Sequence, residues 1–243
     1  MICIQKARRL APMLLWKPVL WTLSSSPRAW RVARFLATGT HDEAIVQQRT
    51  RDWLQRSVIG LNLFPFAEKP LKQKRIDIAV IEDDHLELAL THALEQRVAQ
   101  PGTTLLVCPT LYPNDFASFW ETVQELEASI LLEYEGTLQI APFHPLFCFE
   151  GSPPDAMDNW TNRSPYPILH ILREDEVARA VDQLDGDASK VWKRNVSLLE
   201  AMGEEWGRTD AERVLRDLYE DERLPGLLKQ FRGWSRAATG DSE

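Results

Sequence analysis

The chain has 243 residues, 44% hydrophobic and 26% charged, with 15 Pro, 11 Gly and 3 Cys. That composition belongs to a globular protein of one or two domains and excludes collagen, coiled coil, disordered tail and disulfide scaffold. The net charge of −8 is unevenly placed: residues 1–41 hold seven basic side chains and no acidic one, so the rest of the chain carries all 36 Asp and Glu and a charge of −15. An acidic body argues against nucleic-acid binding through a broad basic face, because phosphate contacts need clustered Lys and Arg.

Residues 1–40 are basic, acid-free, rich in Ser and Trp, and broken by Pro12, Pro18 and Pro27. This composition predicts a mitochondrial-type transit peptide, with a plastid as the alternative destination. Arg34-Phe35-Leu36-Ala37 reads as a processing site, with a cut after Leu36. Lys17 interrupts the apolar stretch and rules out a secretory signal, and no window of about 20 residues is free of charge or proline, so no integral membrane span is expected. Only Cys108 and Cys148 lie beyond the leader, without metal or redox spacing, which suits a reducing matrix.

Past the leader, Val46, Trp53, Leu54, Val58 and Leu61 recur at helical spacing and predict an amphipathic helix over 42–61, ended by Pro65. Residues 75–82 alternate as a strand, and Asp83-Asp84 opens a second helix that Pro101-Gly102 stops. Residues 103–109 form a short apolar run, the pattern of a strand buried on both faces. Asn114 is a candidate cap for a third helix. Residues 137–144 read as a strand that should either lie at a sheet edge or end near Ala141, since Pro142 cannot donate to a ladder. A long connection, 145–164, leads to a fourth strand over 166–173. Helices follow over 174–184 and 187–202, and Thr209-Asp210-Ala211-Glu212 fits a capping box that opens another.

These elements predict an α/β fold: a single domain over 43–206 with a mixed four-stranded sheet (βαβαββ core) and packed helices, then a C-terminal helical extension over 207–232 and a disordered tail over 233–243. The unusual polar residues gather between His144 and Arg173. In the Thr161 to Pro167 stretch, Asn162, Arg163 and Ser164 offer amide, guanidinium and hydroxyl donors beside a strand end, a combination suited to phosphate or carboxylate. The competing reading makes them turn anchors, with Arg163 paired to Asp155 or Asp158. His144, at a strand end, is a candidate general acid or base, and so is His170, although alternation places His170 on the face of Ile168 and Leu172, where a core histidine is common. No spacing singles out a third ligand, so no metal site is expected, and no motif indicates a cofactor.

The pieces Thr50-Arg51-Asp52-Trp53-Leu54, Val58 to Ala67, Thr103 to Val107, Phe143-His144-Pro145 and Thr161 to Pro167 with Leu169-His170 and Leu172-Arg173-Glu174 resemble the family catalogued as domain of unknown function 1415, over about residues 43–203. The family is widespread in bacteria, which suits an organellar protein of bacterial ancestry. The resemblance implies a fold unit and candidate positions, Asn62 among them, and brings no established activity. Its first motif usually reads NLCPFA, and Phe64 stands here at the Cys position, so this chain has no thiolate to offer there.

Two functions follow as expectations. The first is a small-molecule enzyme or binding protein for an anionic ligand, with Arg163 and Arg173 holding it, Asn162 and Ser164 orienting it, and His144 as acid or base, in a concave pocket that contains at least three of these side chains. The second is a non-catalytic matrix assembly or interaction protein that uses its acidic helices and exposed aromatics on a basic protein partner.

Overall fold

The computed structural model describes residues 42–183, 187, 189–217 and 221–231. The expected leader and tail lie outside them. The first helix, α1 (Glu43–Trp53), is capped by Asp42, whose carboxylate accepts from the Ala44 amide. The expected single helix to Leu61 is instead two pieces, because the chain widens into a π turn over Leu54–Ile59. This turn closes when the Gly60 amide donates to the Gln55 carbonyl at 2.9 Å. A Cβ at Gly60 would stand 2.2 Å from the Arg56 carbonyl oxygen, so only glycine fits. Asn62 then turns the chain with a left-handed φ of 53°.

A short helix α2 (Glu68–Lys72) precedes β1 (Ile76–Val80), and a 3-10 turn over Asp83–His85 leads into α3 (Leu86–Ala99). The next pair is β2 (Thr103–Val107) and α4 (Phe116–Ser129). The cap of α4 is Asp115 rather than Asn114, since the Asp115 carboxylate accepts from the Ala117 and Ser118 amides. Then come β3 (Leu138–Phe143), a 3-10 turn over Met157–Thr161, and β4 (Ile168–Arg173). The helices α5 (Glu174–Asp182), α6 (Ser189–Trp206), α7 (Arg208–Asp217) and α8 (Leu224–Gln230) complete the described chain. Thr209 lies inside α7, so Thr209 to Glu212 is not a capping box; Gly207, at φ 78°, breaks α6 from α7 instead.

The four strands form one mixed sheet in the order β1-β2-β4-β3. β1 and β2 pair in parallel across the α3 crossover, and β4 inserts antiparallel between β2 and β3. β3 is therefore an edge strand, as Pro142 requires. Alternation along the strands feeds two cores. Leu106, Leu169, Ile171, Leu138 and Ile140 pack beneath α3 and α4. Leu105, Val107 and Ile168 meet Val46, Trp53 and Leu54 of α1 and the π turn on the other face. A third cluster joins Leu61, Leu63, Met157 and Trp160 to α6, α7 and α8. No described helix is long and apolar enough to cross a membrane.

Candidate functional site

The structure brings part of the expected set together and sets Arg173 apart: the His144 amide donates to the carbonyl of Asn162, the neighbour of Arg163, at 3.2 Å, while Arg173 ends β4. β4 separates its two ends by five residue steps, on the order of 17 Å at ~3.3 Å per residue, and Arg163 precedes it while Arg173 ends it. The two guanidinium groups start from opposite ends of that strand. Each is also spoken for locally. Arg173 donates from Nη1 to the carbonyls of Arg97 and Val98 in the last turn of α3, at 2.6 and 3.2 Å, and from Nε to Asp175 at 3.0 Å. It is a helix C-terminal anchor. Arg163 donates to the carbonyls of Phe147 and Pro154 and stacks 4.9 Å above the Trp160 ring, and burial lowers its pKa. Neither Asp155 nor Asp158 pairs with it: Asp155 meets Arg208, and Asp158 accepts from Ser152.

The rest of the loop is bonded in the same manner. The Asn162 amide donates to the Pro142 carbonyl at 3.4 Å, and the Ser164 hydroxyl donates to the Tyr166 carbonyl at 2.6 Å. Asn159, fully buried, accepts from the Phe149 amide and donates to the Pro153 carbonyl. Asn62 contributes its backbone carbonyl rather than its side chain, as an acceptor for Arg194. His170 does share a face with Ile168; its Nε2 lies 2.6 Å from the Thr103 hydroxyl, which donates in turn to the Ile171 carbonyl, so Nε2 carries the proton. Burial lowers its pKa to about 4.

His144 is fully buried, with its ring stacked 4.9 Å from Phe119 and 5.4 Å from Phe116. Its Nε2–H donates to the Tyr112 carbonyl at 2.9 Å, and its Nδ1 accepts from the Leu146 amide at 3.0 Å. Both nitrogens are thus used in one tautomer, and burial lowers the pKa below the ordinary histidine range. A ring held so has no free nitrogen for a substrate proton. What it does hold is Tyr112, whose φ of 49° is left-handed.

Tyr112 stands at the mouth of a cleft of about 660 Å³ between α3 and α4, beyond the carboxyl ends of β1 and β2. In open α/β sheets ligands bind outside those strand ends. Asp84, Glu87 and Glu125 line it with Thr110, Thr122, Ser129, Leu86, Leu111 and Leu126, while Leu88 and Tyr112 stand exposed in its lining. None of the seven side chains singled out in the sequence lines it. Thr122 and Ser129 donate their hydroxyl hydrogens to the carbonyls of Ser118 and Glu125 one turn back, leaving oxygen lone pairs for the cleft. The carboxylates, Thr122 and Ser129 therefore present acceptors, beside the hydroxyls of Thr110 and Tyr112. Among the described residues no group of three or more His, Cys, Asp or Glu is arranged for a metal ion.

The fold is a single α/β unit built on a four-stranded mixed sheet. The chain belongs to the family described as Protein of unknown function (DUF1415), whose model matches residues 45–208. No curated protein and no solved structure matches the chain.

Proposed function

We propose that the protein binds a small molecule bearing a protonated amine or guanidine on an aliphatic or aromatic body, seated in the cleft between α3 and α4. The lining carries this reading: three carboxylates, of which Asp84 also meets His85 Nδ1 at 2.5 Å, two hydroxyls whose hydrogens are already spent beside those of Thr110 and Tyr112, and no Lys or Arg. A wall of acceptors is satisfied by a donor, and an ammonium brings three. The body's charge of −15 draws a cation toward it at low salt. An anion in the same place would face three carboxylates, so this cleft disfavours the anionic ligand expected from the sequence. The exposed Leu88 and Tyr112 favour a second occupant of the same chemistry, a lysine or arginine side chain of a protein partner, which keeps the interaction reading open to the same test. The acid-free basic leader supports a mitochondrial matrix setting for either.

Thermal shift with agmatine and phenethylamine tests the reading, with inorganic phosphate as the anionic control. Ligands specific to the native state raise its melting temperature by mass action. Wild type is expected to gain several degrees at millimolar amine and less in 0.5 M salt. The double variant Glu87→Gln, Glu125→Gln, folded by circular dichroism, is expected to bind at least ~10-fold more weakly, as befits lost charge-assisted bonds. Equal shifts in variant and wild type, or shifts with phosphate alone, would sink it.

A further inference from the structure

Arg194 lies on the buried face of α6, one turn before the stripe Leu198, Leu199, Met202 and Trp206, and is 5% exposed. Its three hydrogen bonds to described residues all leave from Nη1, to the Leu61 carbonyl at 2.6 Å, the Asn62 carbonyl at 3.2 Å and Asn195 Oδ1 at 3.2 Å. Its Nε–H is buried with no acceptor. Among the described residues no carboxylate pairs with it, and burial pushes its pKa down to about 10, so it remains a cation at neutral pH. The Phe231 ring lies 6.0 Å from its Cζ. Asn195 offers no further help, since its amide nitrogen donates to the Leu63 carbonyl at 2.6 Å.

The geometry of the guanidinium divides these facts into two. Nη1, on the Cδ side, anchors the turn that follows the π segment, and this accounts for the arginine's orientation. The opposite edge, formed by Nε and Nη2, is the fork that takes the two oxygens of a carboxylate in parallel; its Nε–H is buried without an acceptor, and Nη2 makes no hydrogen bond to a described residue. A buried cation without a counter-charge is costly, and a buried donor without an acceptor adds to that cost. We propose that the Arg194 fork is a receptor for a monocarboxylate with an apolar body, held in the seam between α6, the turn at Leu61 to Leu63, and Phe231. One negative charge matches one guanidinium. A dianionic phosphate would leave an excess charge among Leu61, Leu63, Leu198 and Phe231. The receptor shares no residue with the lining of the α3/α4 cleft, so the two proposals stand or fall separately.

The Arg194 Nε–H proton reports on this directly in the full chain by nitrogen-edited NMR, titrated with octanoate, acetate and inorganic phosphate. Octanoate is expected to move the resonance downfield and saturably, acetate more weakly and phosphate least. Arg194→Lys keeps the charge and removes the fork, and is expected to weaken octanoate binding at least ~10-fold while agmatine binding stays as in wild type. Where that variant does not fold, the wild-type titration decides alone. An Nε–H resonance unmoved by any anion, a larger response to phosphate than to octanoate, or octanoate affinity retained within about twofold in a folded Arg194→Lys would each overturn the proposal.

Discussion

His144 looks like a general base in sequence and is a strut in the structure. The same imidazole that would take a substrate's proton is clamped between the Tyr112 carbonyl and the Leu146 amide, which fixes the tautomer and leaves nothing to donate to. His170 is neutral for a similar reason, half-buried on the sheet with its Nε2–H on Thr103. Burial lowers both pKa values, His170's to about 4, while an unfolded chain protonates histidine near ~6.5. The unfolded state therefore binds more protons below that value, and stability falls as pH drops through the window from about 6.5 to about 4. Each histidine contributes at most ~1.4 kcal/mol per pH unit there. Urea unfolding at pH 7 and pH 5.5 is expected to differ by about 1–2.5 kcal/mol, less stable in acid. A flat profile across that interval, or a folded-state His144 ring that titrates near 6.5 by NMR, would remove the strut from this account.

The element that most distinguishes this chain from an idealised α/β unit is the π turn after α1. Its wide ring carries the carbonyls of Leu61 and Asn62 toward Arg194, and it depends on Gly60. Gly60→Ala places a methyl 2.2 Å from the Arg56 carbonyl and forces backbone, not a flexible side chain, to move. The expected cost is about 2–4 kcal/mol in urea unfolding, with weaker octanoate binding as the carbonyls shift. A variant as stable as wild type would mean that the turn relaxes to an ordinary helix without penalty. The π turn was not legible in the sequence, because Val58 and Leu61 keep helical spacing through it. β1 was legible from alternation and β2 from its short apolar run, and Pro142 pointed to an edge for β3. The insertion of β4 between β2 and β3 was not, since crossover pattern says nothing of where a later strand pairs. Site residues were harder still: Asn162, Arg163 and Ser164 carry the donors of an anion loop, but donors aimed at backbone and donors aimed at ligand have the same composition. Arg194 was missed because a lysine- and arginine-bearing stretch reads as a solvated face. Carrying the stripe from Leu198 back one turn would have placed it inside.

Across the whole molecule, the segments that carry the family resemblance meet one another. The Trp53 indole donates to the Arg163 carbonyl at 3.1 Å, and the His144 amide donates to the Asn162 carbonyl at 3.2 Å. The first motif at Leu61 to Leu63 is held by Arg194 and Asn195, far along the chain. Most of the polar residues at these meeting points bind backbone, so the motifs build the frame in which the two proposed sites stand. The family match ends at residue 208, yet the frame does not: Ala211, Val214, Leu215 and Leu227 are buried against Leu61, Leu63, Leu198 and Met202. α7 and α8 are therefore expected to unfold together with the sheet. Leu227, 2% exposed in α8, tests this, because its truncation to Ala opens a cavity far from any strand. The expected loss is about 2–4 kcal/mol. Tryptophan fluorescence, which samples Trp53 beneath the sheet and Trp206 in the helical cluster, is expected to fall in one transition coincident with far-ultraviolet dichroism. Two separated transitions, or a loss confined to a small early phase, would make the C-terminal helices an appendage and not a wall of the Arg194 seam.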